Sequence, residues 1–354
     1  MSFVITKWRK HIVIWVAITV SLAAVYSCFW LIMAKKIEND IYHWKRQQET
    51  AAWKFDYDKI RVSGFPWNWV FNLENPNFKN IRASNELRWS GSQLQMKLKP
   101  WDLKNVEFWT KGKQELHFYK KSSIKPVKAR IKNGWGKLTL NRFGKIGDLK
   151  FSLDECVVQT PDTKQVQLNG ISVTLSSNLP NKPETRARQV PLFHLNTEFS
   201  GLILPRMAFP SLEKKISELR LSADFVGVAE GRTIKEFLST WSQNGGSLEI
   251  NHINFKWAKL KFSGNGTLAL DDQLQPIAAL SAKVSGYKAA INSMVLSGFI
   301  KPSLGMVLSF AASILAKKRE GLNQEQIRIP LTLQDSFLHL GPVKILKIPI
   351  LNWE

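Results

Sequence analysis

Ile12 to Met33 reads IVIWVAITVSLAAVYSCFWLIM, a run without a single charge. As a helix rising about 1.5 Å per residue it covers roughly 33 Å, enough to cross the hydrocarbon core of a bilayer. Lys7, Arg9 and Lys10 precede the run, and Lys35 and Lys36 close it. Trp15, Tyr26 and Trp30 lie toward its two ends, where amphipathic aromatics favour the head-group region. A transmembrane helix over 12–33 is therefore the first expectation. A short basic N-tail stays in the cytoplasm while a long domain translocates largely regardless of charge, so residues 1–11 are expected inside and residues after about 34 on the outer, periplasmic face.

A cleaved secretory signal would be shorter and would end in small residues. Here Phe29, Trp30, Leu31, Ile32 and Met33 follow the small-residue stretch, so an uncleaved signal anchor is expected. Val25-Tyr26-Ser27-Cys28 superficially resembles a lipobox, but the bulky Tyr26 and the apolar run beyond Cys28 argue against lipidation. With only Cys28 and Cys156 in the chain, no intrachain disulfide is expected.

Residues 34–55 carry Ile37, Ile41, Trp44, Gln48 and Ala52 at near-helical spacing and read as a membrane-proximal helix. After Asp56 the period changes to two. Gln93 to Lys99 alternates throughout, as do Leu149/Phe151/Leu153, Leu219/Leu221/Ala223/Phe225 and Ile327/Ile329/Leu331/Leu333. Shorter alternations occur at Leu116/Phe118, Leu138/Leu140, Val166/Leu168, Ile171/Val173/Leu175 and Phe193/Leu195. Strands with one apolar and one polar face belong to antiparallel sheets, and few helices intervene, which excludes a βαβ crossover fold. Asn133-Gly134, Gly144, Asn169-Gly170, Gly245-Gly246, Gly264-Asn265-Gly266 and Asp271-Asp272 are expected as turns. The fold class is mainly β (β-rich α+β): an N-terminal transmembrane helix, then an elongated, curved antiparallel sheet over 56–354 with a few packed helices. Residues 176–191, with three prolines, are the candidate subdomain hinge.

Two helices are expected in the sheet region. Thr233–Gln243 stops at Gly245-Gly246. Residues 302–316 place Leu304, Val307, Leu308, Ala311 and Leu315 on one stripe, to be read either as packing on the sheet or as a lipid-contact face.

A formal net charge of +22 suits an anionic partner: nucleic acid, anionic lipid, lipopolysaccharide or an acidic protein. Nucleic acid is set aside, because the cations are spread along the chain and the anchor points the domain away from the cytoplasm. Phosphate-cradling, nucleophile-elbow and HExxH motifs are missing, and no two of the six histidines stand at metal-ligand spacing. His117, His194 and His339 fall on polar strand faces, and His252 sits near an expected register shift. Asp154-Glu155 and Asp271-Asp272 are adjacent and would point to opposite faces of a strand. Neither an enzyme, a metal nor a cofactor is expected.

Val62-Ser63-Gly64-Phe65-Pro66, Lys99-Pro100-Trp101 and Ile329-Pro330-Leu331-Thr332-Leu333-Gln334-Asp335, with Leu340-Gly341-Pro342-Val343 and Ile348-Pro349, resemble the domain of unknown function 2125 family, which is mainly alphaproteobacterial. Ser336 departs from that pattern, where glycine follows the aspartate, so a different turn is expected there. Phe262 to Asp271 is also similar to strand-turn units of AsmA-like envelope proteins. The resemblance implies a location, the bacterial inner membrane with a periplasmic domain, and no chemistry. Gly64, Phe65 and Pro66 are expected as a structural turn. The functional expectation is a non-enzymatic envelope protein that contacts or handles lipid through an apolar sheet face. The alternatives are a scaffold for a protein partner and, third, a hydrolase.

Overall fold

The computed structural model describes residues 2–47, 53–80, 86–119, 125–142, 144, 146–162, 164–177, 191–205, 213–231, 233–298, 300–317, 326–341 and 343–353. The chain opens with one continuous helix, α1 (Ser2–Gln47), in which His11–Arg46 is long and apolar enough to cross a membrane. Beyond it, among the described residues, eighteen strands join in one sheet whose pairings are all antiparallel. The chain is thus mainly β, as its period-two alternation requires.

Four short strands begin the sheet: β1 (Trp53–Asp56), β2 (Lys59–Ser63), β3 (Trp69–Glu74) and β4 (Asn77–Asn80). The long strand β5 (Glu86–Lys99) takes β4 against one half, with Phe78 opposite Trp89, and β3 against the other, with Trp69 opposite Leu98. From there a meander runs through β6 (Asp102–Tyr119), β7 (Val127–Leu140), β8 (Ile146–Gln159), β9 (Gln165–Ser177), β10 (Pro191–Ile203) and β11 (Lys215–Val226). After α2 (Ile234–Gln243) it continues through β12 (Ser247–Trp257), β13 (Leu260–Leu270) and β14 (Pro276–Ser285). Two helices follow, α3 (Tyr287–Leu296) and α4 (Pro302–Leu315). The last strands are β15 (Ala316–Lys317), β16 (Gln326–Gln334), β17 (Phe337–Leu340) and β18 (Val343–Lys347), with β16 paired to β14. Of the expected hinge at 176–191, residues 178–190 lie outside the described residues. The flanking β9 and β10 pair with each other, Ser177 opposite Phe193.

The principal core lies where α1 meets the start of the sheet. Trp30 and Ala34 of α1 are buried with Tyr57, Trp69, Phe71 and Leu73, and Ile37 and Ile41 pack alongside. Lys45 fastens this contact by donating to the Tyr57 carbonyl at 3.2 Å and pairing with Asp56. A second core lies under α3 and α4, where Tyr287 and Ala312 join Ala282, Val284, Ile327 and Ile329. The α2 helix is started by Thr233, whose side chain accepts from the Glu236 amide while Glu236 reaches back. It stacks Trp241 on Phe225 at 4.4 Å.

Between these cores a line of irregularities crosses the strands. The register shifts at Gly91/Gln93 and at Thr110/Gln114, and φ is positive at Gly112, Glu155 and Gly201. A regular strand turns residues three apart to opposite faces. The positive φ at Glu155 interrupts that alternation without shifting the register, and Leu153 and Cys156 pack in the same cluster with Ile131 and Leu168. Bulges also bend the strands that carry them, which curves the sheet along this line.

Three expected turns are not turns. Asn133-Gly134 lies inside β7, Asn169-Gly170 inside β9 and Gly264-Asn265-Gly266 inside β13. The reason is cross-strand space. A Cβ at Gly134 would meet the Thr110 hydroxyl at 2.9 Å, and one at Gly266 would meet the Ala279 carbonyl oxygen at 2.1 Å. Gly144 and Asp271-Asp272 do connect strands, and Gly245-Gly246 does follow α2. The shift expected near His252 is present, between Ile250 and Ile253.

Candidate lipid-contact surfaces

The apolar sheet face can be traced strand by strand. Phe108, Gly136, Phe151, Val173, Thr197 and Leu221 stand opposite one another from β6 to β11. A parallel row runs through Val106, Leu138, Leu149, Leu175, Leu195 and Ala223. At about 4.8 Å per strand, five steps make this face roughly 24 Å wide. Phe108, Phe151, Val173, Thr197 and Leu221 are each only half-buried, whereas the residues beneath α1 and α4 are buried outright. α1 packs against β1 and β2, α3 and α4 against β13 and β16, and α2 covers the Phe225 end of β11, which leaves β6 to β10 and the adjoining part of β11 as an apolar trough.

The opposite face is polar. Lys137, Lys150, Thr174, Asn196 and Ser222 continue across the same strands. The next polar row holds Asp148, Ser176, His194, Asp224 and Glu249. His194 Nδ1 lies 2.5 Å from Asp224 Oδ1, and Asn251 donates to Asp224 Oδ2 at 2.8 Å. Burial pushes the Asp224 carboxyl up, but the Asn251 and His194 hydrogen bonds outweigh it and hold it below the usual carboxylate range. Both side chains are partly exposed, His194 at 35% and Asp224 at 23%. Asp154 is exposed, and the neighbouring Glu155 is occupied by Lys132 at 2.6 Å. Asp271 Oδ1 accepts from the Gln273 and Gln275 amides, each at 2.8 Å, closing its turn. Among the described residues, no three His, Cys, Asp or Glu side chains come together as metal ligands.

On α4 the expected stripe turns inward. Leu308 is buried, Leu304 and Ala311 are half-buried, and Val307 is exposed; Leu315 closes the helix. The outward apolar residues are Met306, Val307 and Phe310, beside Leu296 at the end of α3. A cavity of about 700 Å³ lies between the two helices, lined by Ile291, Val295, Leu296, Pro302, Gly305 and Met306. α3 was not expected, because its stretch carries no cap signal: its N-cap Gly286 makes no side-chain bond.

Gly64, Phe65 and Pro66 form the β2–β3 turn. Gly64 takes φ +98, a Cβ there would meet the Asn68 carbonyl oxygen at 2.7 Å, and the Asn68 amide donates to the Gly64 carbonyl at 2.9 Å. The Phe65–Pro66 bond is cis. The Pro66 carbonyl accepts from Tyr26 Oη of α1 at 2.5 Å, and Trp30 meets Phe65 edge-on at 5.5 Å. Trp67 at this tip touches Trp101 of the β5–β6 hairpin, with ring centroids 6.3 Å apart. The tryptophans here divide: Trp69 is fully buried, while Trp67 and Trp101 face outward.

A long N-terminal apolar helix bound into the first strands of a single antiparallel meander defines the class of protein. Over residues 30–349 the chain matches the family described as uncharacterized protein conserved in bacteria (DUF2125), and it belongs to that family. No curated protein and no solved structure matches it, so the likeness of residues 262–271 to AsmA-like proteins gains no support.

Proposed function

We propose that this protein is a non-enzymatic component of the bacterial cell envelope, held in the inner membrane by α1 with its sheet in the periplasm, and that it contacts or handles lipid along the apolar trough. The supporting observation is the half-buried row Phe108, Phe151, Val173, Thr197 and Leu221. Large side chains standing side by side in water lose the burial that would otherwise stabilise them, at about 25 cal/mol per Å², so an acyl chain laid over the row recovers it. The net charge of +22 complements the phosphates of anionic lipid or lipopolysaccharide. A scaffold role would use the same face for a protein, and a hydrolase would need the His194–Asp224 pair to sit in a cavity. The cavities lined by α2 and the Asp271–Leu274 turn, by α3 and α4, and by the Gly112–Glu155 irregularity contain no histidine.

A photo-crosslinking side chain placed at Phe151 in the full-length protein tests the reading, with the outward Lys150 as control. Lipid-sized adducts at 151 and none at 150 are expected. A protein adduct at 151 would instead establish the scaffold reading, and equal labelling at both positions would remove the trough as a binding surface.

A further inference from the structure

We propose that the β2–β3 and β5–β6 hairpin tips form an aromatic foot that enters the outer leaflet of the bilayer crossed by α1. The inference rests on the reading of α1 as a membrane anchor and concerns a surface distinct from the trough.

Length carries the argument. From His11 to Val25 every residue of α1 is exposed. This bare stretch covers only about 22 Å at 1.5 Å per residue, against roughly 30 Å of hydrocarbon. The shortfall cannot be met from the N-terminal side, where Lys7, Arg9 and Lys10 would have to enter the core. It is met from the other side by Tyr26 to Met33, which completes the uncharged run. Those residues are already docked: Tyr26 bonds Pro66, Trp30 packs on Phe65, and Phe29 lies 6.3 Å from Trp69. A helix submerged far enough to span the bilayer carries the tips in with it.

The direction of the hairpin agrees. Lys45 of α1 contacts Tyr57, and nineteen residues earlier Tyr26 contacts Pro66. Nineteen helical residues rise about 28 Å, within the reach of the chain from Tyr57 to Pro66, at most about 30 Å, and β2 (Lys59–Ser63) runs between the two contacts. The hairpin therefore lies along α1 with its tip toward the helix N-terminus. What the tip presents is also what a bilayer interface accepts. Phe65 is 53% exposed, Trp67 68% and Trp101 62%, although Trp69, two residues along, is fully buried. Leu103 is exposed beside them, and the exposed Lys99 and Lys104 flank Trp101 at the level of lipid phosphates.

The test uses the full chain in nanodiscs of phosphatidylethanolamine and phosphatidylglycerol that carry acyl-chain nitroxides. Single-cysteine proteins bear a fluorescent label at the native Cys28, at Trp67→Cys, at Trp101→Cys or, as an aqueous control, at the exposed Ile234→Cys. The labels at 67 and 101 are expected to lose at least half as much emission as the label at 28, and the label at 234 none. Quenching at 28 with positions 67 and 101 behaving like 234 would overturn the foot and leave the anchor standing. No quenching at 28 would overturn the anchor itself, and the foot with it. Hydroxyl-radical footprinting of the unmodified protein supplies a reading free of substitution. Trp67 and Trp101 should oxidise severalfold more slowly than exposed Trp53 in discs, and equal rates would again remove the foot.

Discussion

Ser336 occupies the second position of the β16–β17 turn with φ +60, after Asp335 at φ +53, and Gln334 pairs directly with Phe337. Two consecutive left-handed residues make the two-residue hairpin turn that suits a right-twisted strand pair. Serine is therefore held here in a conformation that favours glycine. An L-residue there costs about 1–2 kcal/mol, part of which glycine returns as chain entropy on folding. Ser336→Gly should raise stability by roughly 0.5–1 kcal/mol, read as a higher melting temperature. The Ile348 amide donates to the Ser336 carbonyl at 2.7 Å, a backbone bond that the substitution leaves in place. Gly136 shows the opposite situation. A Cβ there would sit 2.0 Å from the Phe108 ring, so the glycine exists for a neighbour 28 positions away in sequence. Period-two alternation is local and could be read directly, but this demand is not, which is why Asn133-Gly134 reads as a turn until β6 is laid beside it.

Among the elements, α4 separates packing from exposure most clearly. Helical spacing identified Leu304, Leu308 and Ala311 as one stripe, but spacing alone does not say whether a stripe meets a sheet or a lipid. Burial of Leu308, and of Ala312 against β14 and β16, answers for the packed side. Leu308→Ala should cost about 2–5 kcal/mol, whereas Phe310→Ser on the outward side should stay within about 0.5 kcal/mol; denaturant melts of the two variants measure the difference. The α1–β1 junction carries a pH dependence of its own. The Lys45 hydrogen bond, and secondarily the Tyr57 amide and nearby lysines, hold the Asp56 carboxyl below the usual range against the opposing effect of burial. A depressed carboxylate contributes stability that is complete above its unfolded pKa of about 3.9 and is lost as pH falls through the lower folded value. Hydrogen exchange of the β1 amides should therefore be unchanged between pH 7 and 5 after correction for intrinsic rates, and should rise below about pH 4. In Lys45→Ala that acid-dependent step should shrink to the part contributed by the Tyr57 amide and Lys54.

At the scale of the whole molecule, α1 and the sheet are not separable parts. The uncharged run was evident in the sequence, but Trp30 reads there as an interfacial aromatic, and only the assembled sheet reveals it as a core residue. Trp69, Phe71 and Leu73 have no exposed surface while Trp30, Ala34, Ile37 and Ile41 lie against them. Trp69 Nε1 also donates to the Trp30 carbonyl at 3.2 Å. Cutting the chain at residue 56, where the alternation begins, would strip this core. Losing Trp30 alone should cost about 3–5 kcal/mol, a large share of the 5–15 kcal/mol that keeps a typical protein folded. A chain beginning at Tyr26 retains every docked residue of α1 and sheds only the bare stretch. In mild detergent, the 26–354 protein should unfold cooperatively near the full-length melting temperature. The 56–354 protein should bind a hydrophobic dye before heating and melt broadly or aggregate. Equal, sharp transitions for both truncations would mean that the sheet folds without α1, so that the helix merely lies against it.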